Sequence, residues 1–172
     1  IGGSSVKLGI ISSMLDIVAS DTVPVDQDEP ALTLREASQK LMAMADSTRA
    51  ELEGCGIACP GPLSEPGTLG ELPNLPQWRG FNVSEFVSRQ LRCNTSLIND
   101  ANAAALAEWA CGNGRGSKML VMVTLGTGIG GGIVCDGQVV EGAHGRAAEF
   151  GHIPVYNSKA PCGCGKKGCL EA

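Results

Sequence analysis

The spacing of apolar residues divides the chain into strands and helices. Four short apolar runs have the length of strands: residues 6–11, 54–59, 96–98 and 119–125. Three segments carry apolar residues at helical spacing: residues 34–52, 83–91 and 101–111. Strands interspersed with helices predict an α/β fold, with antiparallel pairing where the connections are short.

The segments between these elements carry further predictions. Residues 16–25 fit a hairpin partner of the first strand, because β-branched residues alternate there with smaller ones. Residues 64–82 are rich in proline, which predicts loop. Residues 126–132 form a Gly-rich segment, after which a strand through Val134 and a turn at residues 136–137 predict a meander.

Composition and charge limit the class of protein. Hydrophobic residues make up 43% of the 172 residues and aromatic residues 3%, so we expect aliphatic side chains to build the core. The formal net charge is -5 and there is no basic run, which argues against nucleic-acid binding by this segment. No apolar stretch is long enough to span a membrane and no signal peptide is visible, so we expect a cytoplasmic protein.

The eight cysteines fall into two groups. Three lie in one short Gly-rich block near residue 165. Five are scattered among apolar residues: Cys55, Cys59, Cys93, Cys111 and Cys135. We expect the scattered five to be small buried hydrophobic residues with free thiols, which agrees with a reducing compartment.

The cysteine block is the most specific chemical signal in the chain. Cys162, Cys164 and Cys169 have C-x-C and C-x4-C spacing with glycines between them, which brings three thiolates around one point. Tetrahedral zinc needs a fourth ligand, and His152 is the nearest suitable donor. One disulfide with a free thiol is the alternative, but it leaves an odd cysteine and fits a cytosolic protein poorly.

The Gly-rich segment suggests phosphate binding. Residues 126–131 match G-x-G-x-x-G, but a dinucleotide fold needs this turn to open a helix, and a strand is predicted here instead. Backbone N–H groups of a Gly-rich hairpin can still hold phosphate oxygens, because glycine permits close approach. A plain turn is the alternative, but residues 126–132 contain five glycines, more than a hairpin requires.

Asn99 and Asp100 directly precede the helix predicted to start at Ala101. Asp100 fits a helix N-cap, a role worth about 1 kcal/mol. The same carboxylate fits a general base that takes a proton from a sugar hydroxyl during attack on a γ-phosphate. The residues alone leave both interpretations open.

Together these motifs resemble the ROK group of sugar kinases and repressors, in particular its kinase branch. Residues 2–7 resemble the first phosphate motif, whose leading Asp would precede the first residue, and residues 126–132 resemble the second. Residues 99–104 are similar to the catalytic segment. Residues 149–152 and 162–171 are similar to the sugar and zinc segments, and all motifs keep the family's order.

The resemblance implies the two-domain actin-like ATPase (ribonuclease H-like) fold. Residues 1–115 would form an N-terminal α/β domain with the first phosphate motif and the catalytic Asp. Residues 116–172 would begin the C-terminal domain, with the second phosphate motif and the zinc loop. Members of the family are longer than this chain, so it looks truncated at both ends, and we expect it to be inactive alone.

The resemblance also implies roles for the matched residues. Asp100 would be the catalytic base, and six residues would bind the sugar: Asn74, Asn99, Asp100, Glu149, His152 and Glu171. Seven would bind the nucleotide: Gly3, Ser4, Lys7, Gly126, Thr127, Gly128 and Gly130. His152 would hold a structural zinc ion with one ring nitrogen and face the sugar with the other, while ATP would bring Mg²⁺.

The resemblance leaves the substrate open. Glucokinase, which makes glucose 6-phosphate, is the first interpretation, and N-acetylmannosamine kinase and fructokinase are rivals because the hydroxyl-binding residues are shared. A sugar-responsive transcriptional repressor is the alternative of another class. Repressors carry a helix-turn-helix ahead of the first domain and tend to lose the phosphate motifs, both of which are recognisable here. A dimer or tetramer is expected for the full-length protein.

Overall fold

The computed structural model describes residues 1–72, 74–126, 128–143, 145–155 and 157–172. They divide into two compact units, Ile1–Asp100 and Ala101–Ala172. The domain boundary near residue 115 stays a prediction. Strands and helices alternate along the chain, so the predicted α/β class is confirmed.

The described residues contain strands, helices and two short 3-10 helices. The strands are β1 Ser5–Ile11, β2 Ile17–Pro24, β3 Gly54–Cys59, β4 Leu63–Glu65, β5 Thr68–Leu69, β6 Asn94–Asn99, β7 Met119–Leu125, β8 Ile129–Cys135 and β9 Gln138–Val139. The helices are α1 Pro30–Thr48, α2 Val83–Leu91 and α3 Asp100–Cys111. The 3-10 helices are Pro76–Trp78 and Phe150–His152.

In the first unit, β1 and β2 form the predicted hairpin, whereas β3 and β6 pair in parallel. Parallel strands need a long crossover, and α2 lies in the segment that connects them. The register pairs Cys59 with Asn99, so β3 and β6 end side by side. The residues that follow β3 therefore lie beside the polar residues at the end of β6.

The core of the first unit contains an aromatic residue that composition did not lead us to expect. Trp78 is fully buried among Leu34, Leu69 and Leu75. Its indole N–H donates a hydrogen bond of 3.0 Å to the carbonyl of Asp26, which satisfies the polar atom that burial would otherwise leave unpaired. The prediction of a purely aliphatic core is wrong for this unit.

The first helix is displaced from its predicted range of 34–52. It begins at Pro30, because proline is well suited to the first helical turn, where its missing N–H has no helical partner. It ends at Thr48, since Arg49 adopts a left-handed conformation with φ of 55°. Leu52, which was expected on the buried face, therefore lies beyond the helix.

The segment 64–82 is not loop throughout. It contains most of the β4–β5 hairpin and the 3-10 helix at Pro76. Gly67 supplies the positive φ of 77° that the hairpin turn needs, and a side chain there would also overlap Ser84. Proline density correctly indicated the absence of long regular elements, but it concealed these short ones.

In the second unit, β7, β8 and β9 form an antiparallel sheet, as the predicted meander requires. The predicted Gly-rich loop 126–132 is too long, because β8 begins at Ile129 and the connection spans residues 126–128. A strand follows that connection, which agrees with the rejection of the dinucleotide motif. Thr127 lies outside the described residues.

The glycines of β8 are explained by packing. A Cβ atom placed on Gly132 would lie 2.6 Å from the Cβ of Ala105 and 2.9 Å from the carbonyl of Ala101, both in α3. A Cβ on Gly131 would overlap the ring of Phe150. Two of the five glycines therefore serve close packing within this unit, which weakens the argument that their number indicates phosphate binding.

The scattered cysteines are free thiols as predicted, but the predicted burial is confirmed only for Cys59. Cys59 is buried, Cys55, Cys93 and Cys135 are half-buried, and Cys111 at the end of α3 is exposed. Cys111 has little to pack against because it occupies the last turn of its helix. In the described part of the chain, no helix is both long and apolar enough to cross a membrane.

Candidate functional site

Asp100 lies where a strand turns directly into a helix. The helix α3 begins at Asp100 itself, one residue earlier than predicted, so the exposed carboxylate belongs to its first turn. The preceding residue, Asn99, donates its side-chain amide to the carbonyl of Gly61 at 3.3 Å.

The surroundings of Asp100 include a buried thiol. Burial raises the pKa of Cys59 to about 11, and the negative charge of Asp100 adds to that rise. Cys59 is therefore protonated at neutral pH and belongs to the core that supports the ends of β3 and β6. In this region the side chain of Asp100 is charged, whereas the thiol of Cys59 is uncharged.

The first Gly-rich turn leads into β1. The N–H of Gly2 donates to the carbonyl of Ser5 at 2.8 Å, which closes the turn through the main chain. A Cβ atom on Gly3 would lie 3.6 Å from the Cβ of Asn74, so the structure places Asn74 beside this turn. The predicted nucleotide residues Ser4 and Lys7 are both exposed.

The second unit contains a group of four side chains of the types that bind metal ions. His152, Cys162, Cys164 and Cys169 have ligand atoms that all lie within 4.8 Å of one another. Cys164 Sγ is 3.7 Å from Cys169 Sγ, and Cys162 Sγ is 3.8 Å from His152 Nδ1. Ligands about 2.3 Å from a tetrahedral zinc ion are about 3.8 Å apart, so these two distances match a zinc site and the group is compatible with one.

Two thiols of this group differ in their pKa values. A hydrogen bond from the backbone N–H of Lys166 lowers the pKa of Cys164, which is exposed. Burial raises the pKa of Cys169 to about 11, and the neighbouring thiols add to this rise. Zinc binds cysteine as the thiolate, so metal binding would displace a proton from Cys169.

The imidazole of His152 faces two different groups. Its Nδ1 atom is directed at Cys162, and its Nε2 atom lies 4.0 Å from a carboxylate oxygen of Glu149. A metal ion at Nδ1 therefore leaves Nε2 and the exposed Glu149 on the other side of the ring. This arrangement can bind a metal and a hydroxyl group at the same time.

Glu171 makes a contact that sequence reasoning did not predict. Its carboxylate accepts a hydrogen bond of 2.8 Å from the backbone N–H of Ile129, the first residue of β8. The Glu171 N–H donates to the carbonyl of Gly151 at 3.0 Å. The zinc loop, the segment of Glu149 and the second Gly-rich turn therefore meet within one unit. A contact between residues 42 apart leaves no local signal in the sequence.

Comparison with known sequences places the chain in one family. The profile of the ROK family matches residues 1–172. A glucokinase of Halalkalibacterium halodurans is 36% identical over 177 aligned positions, which cover 99% of this chain and 53% of the relative. An N-acetylmannosamine kinase of Salmonella paratyphi B is 34% identical, over 100% of this chain and 58% of the relative. The chain thus spans about half the length of the curated relatives it matches.

Comparison with solved structures gives the fold. A ROK hexokinase from Thermus thermophilus superposes with a TM-score of 0.87 at 30% identity, over 100% of this chain and 57% of that protein. A glucokinase from Streptomyces griseus in complex with glucose and AMPPNP gives 0.78 at 32% identity, over 99% and 54%. A ROK transcriptional regulator gives 0.85 at 24% identity, over 99% and 44%, which shows the shared fold alone. The chain has the actin-like ATPase fold of the sugar kinases, and it belongs to the ROK family.

Proposed function

We propose that the protein carrying this chain is an ATP-dependent hexose kinase and that its preferred substrate is glucose. The observation that carries the proposal is the carboxylate of Asp100, exposed at the first turn of α3 in a chain 36% identical to a glucokinase. Phosphoryl transfer to a hydroxyl needs a base at that hydroxyl, and an ionised carboxylate on a rigid helix end can serve.

Asp100 takes the proton of the attacking hexose hydroxyl in this proposal. The side chain of Asn99 is tied to Gly61, so it holds the end of β6 in place and orients the carboxylate that follows. Placing a reacting hydroxyl and a base in fixed geometry lowers the entropic part of the barrier.

The other proposed hydroxyl-binding residues have geometries that suit the role. Glu149 and Glu171 expose carboxylates that accept hydrogen bonds from hydroxyl groups. The Nε2 side of His152 faces Glu149 rather than the cysteines. Asn74 lies beside the first Gly-rich turn, which supports a site close to the phosphates.

The two Gly-rich turns are the proposed phosphate-binding segments. Gly3, Ser4 and Lys7 offer backbone N–H groups, a hydroxyl and an ammonium group. In the second turn a Cβ atom on Gly126 would meet no atom within 4 Å, so its backbone is accessible. Mg²⁺ bound with ATP supplies charge neutralisation at the phosphates. Thr127, Gly128 and Gly130 complete the proposed set.

The proposed metal is a structural zinc ion held by His152, Cys162, Cys164 and Cys169. These four protein ligands would complete a tetrahedral zinc site, which is typical of structural zinc, and would leave no open position for an activated water. The group fixes the ring of His152 and the loop that precedes Glu171. It therefore shapes the hexose site without taking part in bond cleavage.

N-acetylmannosamine is the competing substrate, because relatives that act on it are 34% identical to this chain. An assay of ADP release with glucose, N-acetylmannosamine, mannose and fructose separates the alternatives. We expect the highest kcat/KM with glucose. A higher value with N-acetylmannosamine would reassign the substrate, and no ADP release with any hexose would contradict a kinase.

A further inference from the structure

We infer that Glu171 is a positioning residue that holds Gly128 and Ile129, at the end of the second Gly-rich turn, in the arrangement that lets the turn receive nucleotide phosphates. This role deepens the proposed kinase function and rests on it. It differs from the hydroxyl-binding role suggested by the resemblance, because it concerns the phosphate-binding turn and involves a different oxygen atom of the carboxylate.

The first observation is a direct contact. Glu171 Oε2 accepts the N–H of Ile129 at 2.8 Å. A Cβ atom placed on Gly128 would overlap the same carboxylate, so glycine at that position is what lets Glu171 approach. A hydrogen bond with an ionised acceptor is stronger than one between neutral groups. The carboxylate and the turn are therefore fitted to one another.

The second observation is that both ends of the turn are fixed. The N–H of Gly126 donates to the carbonyl of Gly128 at 3.0 Å, which closes the turn from within. The bond from Ile129 to Glu171 holds its other end. A turn that is ordered before the phosphates arrive avoids the cost of ordering it during binding.

The third observation is that Glu171 is itself held firmly. Its N–H donates to the carbonyl of Gly151, and a side chain at Gly151 would overlap the carbonyl of Ile129. Two residues earlier, Cys169 is buried in the metal-binding group. Ordering of the metal-binding group therefore also orders the turn, because Glu171 follows Cys169 closely and packs within the same unit.

The second carboxylate oxygen of Glu171, Oε1, allows this residue to have both the hexose-binding role and the positioning role. Among the described residues, none forms a hydrogen bond with Glu171 Oε1. Glu171 can therefore accept a hexose hydroxyl at Oε1 while Oε2 holds Ile129. The carboxylate then links the hexose to the phosphate-binding turn.

The test compares three variants of the metal-loaded protein in the absence of hexose, with the Mg²⁺ complex of AMPPNP as the probe. Glu171→Ala is expected to weaken its binding about tenfold, the effect of losing one hydrogen bond to a charged group. Glu171→Gln keeps an acceptor oxygen and should change the affinity less than threefold. Glu141→Ala is the matched control: it removes an exposed carboxylate of the same unit that lies outside the proposed sites, so nucleotide affinity should stay at the wild-type value.

Hydrogen exchange of the Ile129 amide gives an independent readout. We expect faster exchange in Glu171→Ala and near wild-type exchange in Glu171→Gln and Glu141→Ala. If Glu171→Ala is poorly folded, Gly128→Ala displaces the carboxylate from the opposite side and should reproduce both effects. Wild-type nucleotide affinity in Glu171→Ala, or in Gly128→Ala where that variant replaces it, overturns the inference, as does unchanged Ile129 exchange.

The wild-type protein separates this inference from the proposed function. ADP release with a hexose but unchanged nucleotide affinity in Glu171→Ala rejects the positioning role alone. Absence of both ADP release and nucleotide binding in the wild type rejects the kinase, and with it the nucleotide purpose of the turn.

Discussion

The two Gly-rich turns look alike in sequence but are built differently. The turn before β1 is closed by a main-chain hydrogen bond, and a side chain on Gly3 would make only an ordinary contact with Asn74. The turn before β8 is held by the carboxylate of Glu171 and is followed by strand glycines packed against α3 and Phe150. Glycine thus leaves the backbone accessible in the first region, whereas in the second it mainly permits close packing.

Metal removal should separate the two regions most strongly. Chelation, or Cys164→Ser, is expected to lower the free energy of unfolding by at least about 4 kcal/mol, because metal binding stabilises only the folded group. Hydrogen exchange should rise around residues 126–129 and remain unchanged around residues 2–5. Cys111→Ser is the matched control, since that thiol is exposed and outside the group. Equal increases in both turns would contradict the comparison.

A side chain at Gly132 should give the next largest effect. Gly132→Ala places a methyl group against the backbone of α3, and we expect a loss of about 3 kcal/mol in urea unfolding. Gly56→Ala in β3 is the control, because nothing lies within 4 Å of its Cβ position. That change should be neutral or stabilise by up to about 1 kcal/mol. Similar losses in both variants would show that packing does not explain the glycine at 132.

The first turn should respond in binding rather than in stability. Gly3→Ala is expected to change the free energy of unfolding by less than about 0.5 kcal/mol, since its nearest neighbour leaves ordinary space. The affinity for the Mg²⁺ complex of AMPPNP should fall, because the new methyl group limits approach of the phosphates. Calorimetry of unfolding and of binding measures the two effects separately, and a stability loss without a binding loss would reverse the assignment.

Gly126→Ala should have the smallest effect on stability. Its Cβ position is open although it belongs to the second turn, so we expect a change below about 0.5 kcal/mol. Thermal unfolding of this variant beside Gly132→Ala locates where packing begins along the segment. A loss as large as that of Gly132→Ala would mean that the whole turn is packed tightly.

Local patterns predicted much of the fold. The bounds of β3, β7 and α2 agree with the sequence, because strand-length apolar runs and helical spacing decide these elements. The start of α1 was missed for two reasons. The helix begins at Pro30, before the predicted apolar face, and the polar residue Thr33 is buried in its first turn. The pattern of apolar residues cannot show a helical turn that buries a polar residue.

The candidate site, like the fold, has features that the sequence predicted and features that it did not. The metal-binding group could be predicted, because three of its ligands are close in sequence and the spacing of cysteines and glycines is specific to metal binding. The bond from Glu171 to Ile129 could not, since it depends on how distant segments pack. The packing role of Gly131 and Gly132 was hidden for the same reason, and the count of glycines suggested phosphate binding too strongly.

The central claim is that Asp100 is the base of a hexose kinase, and Asp100→Asn tests it most directly. The measurement is the kcat for glucose-dependent ADP release together with the Kd for glucose. The account predicts that kcat falls by at least about a hundredfold, the contribution expected of a general base, while the Kd changes little. A kcat close to that of the wild type would contradict the account and leave Asp100 as a structural residue at the start of α3.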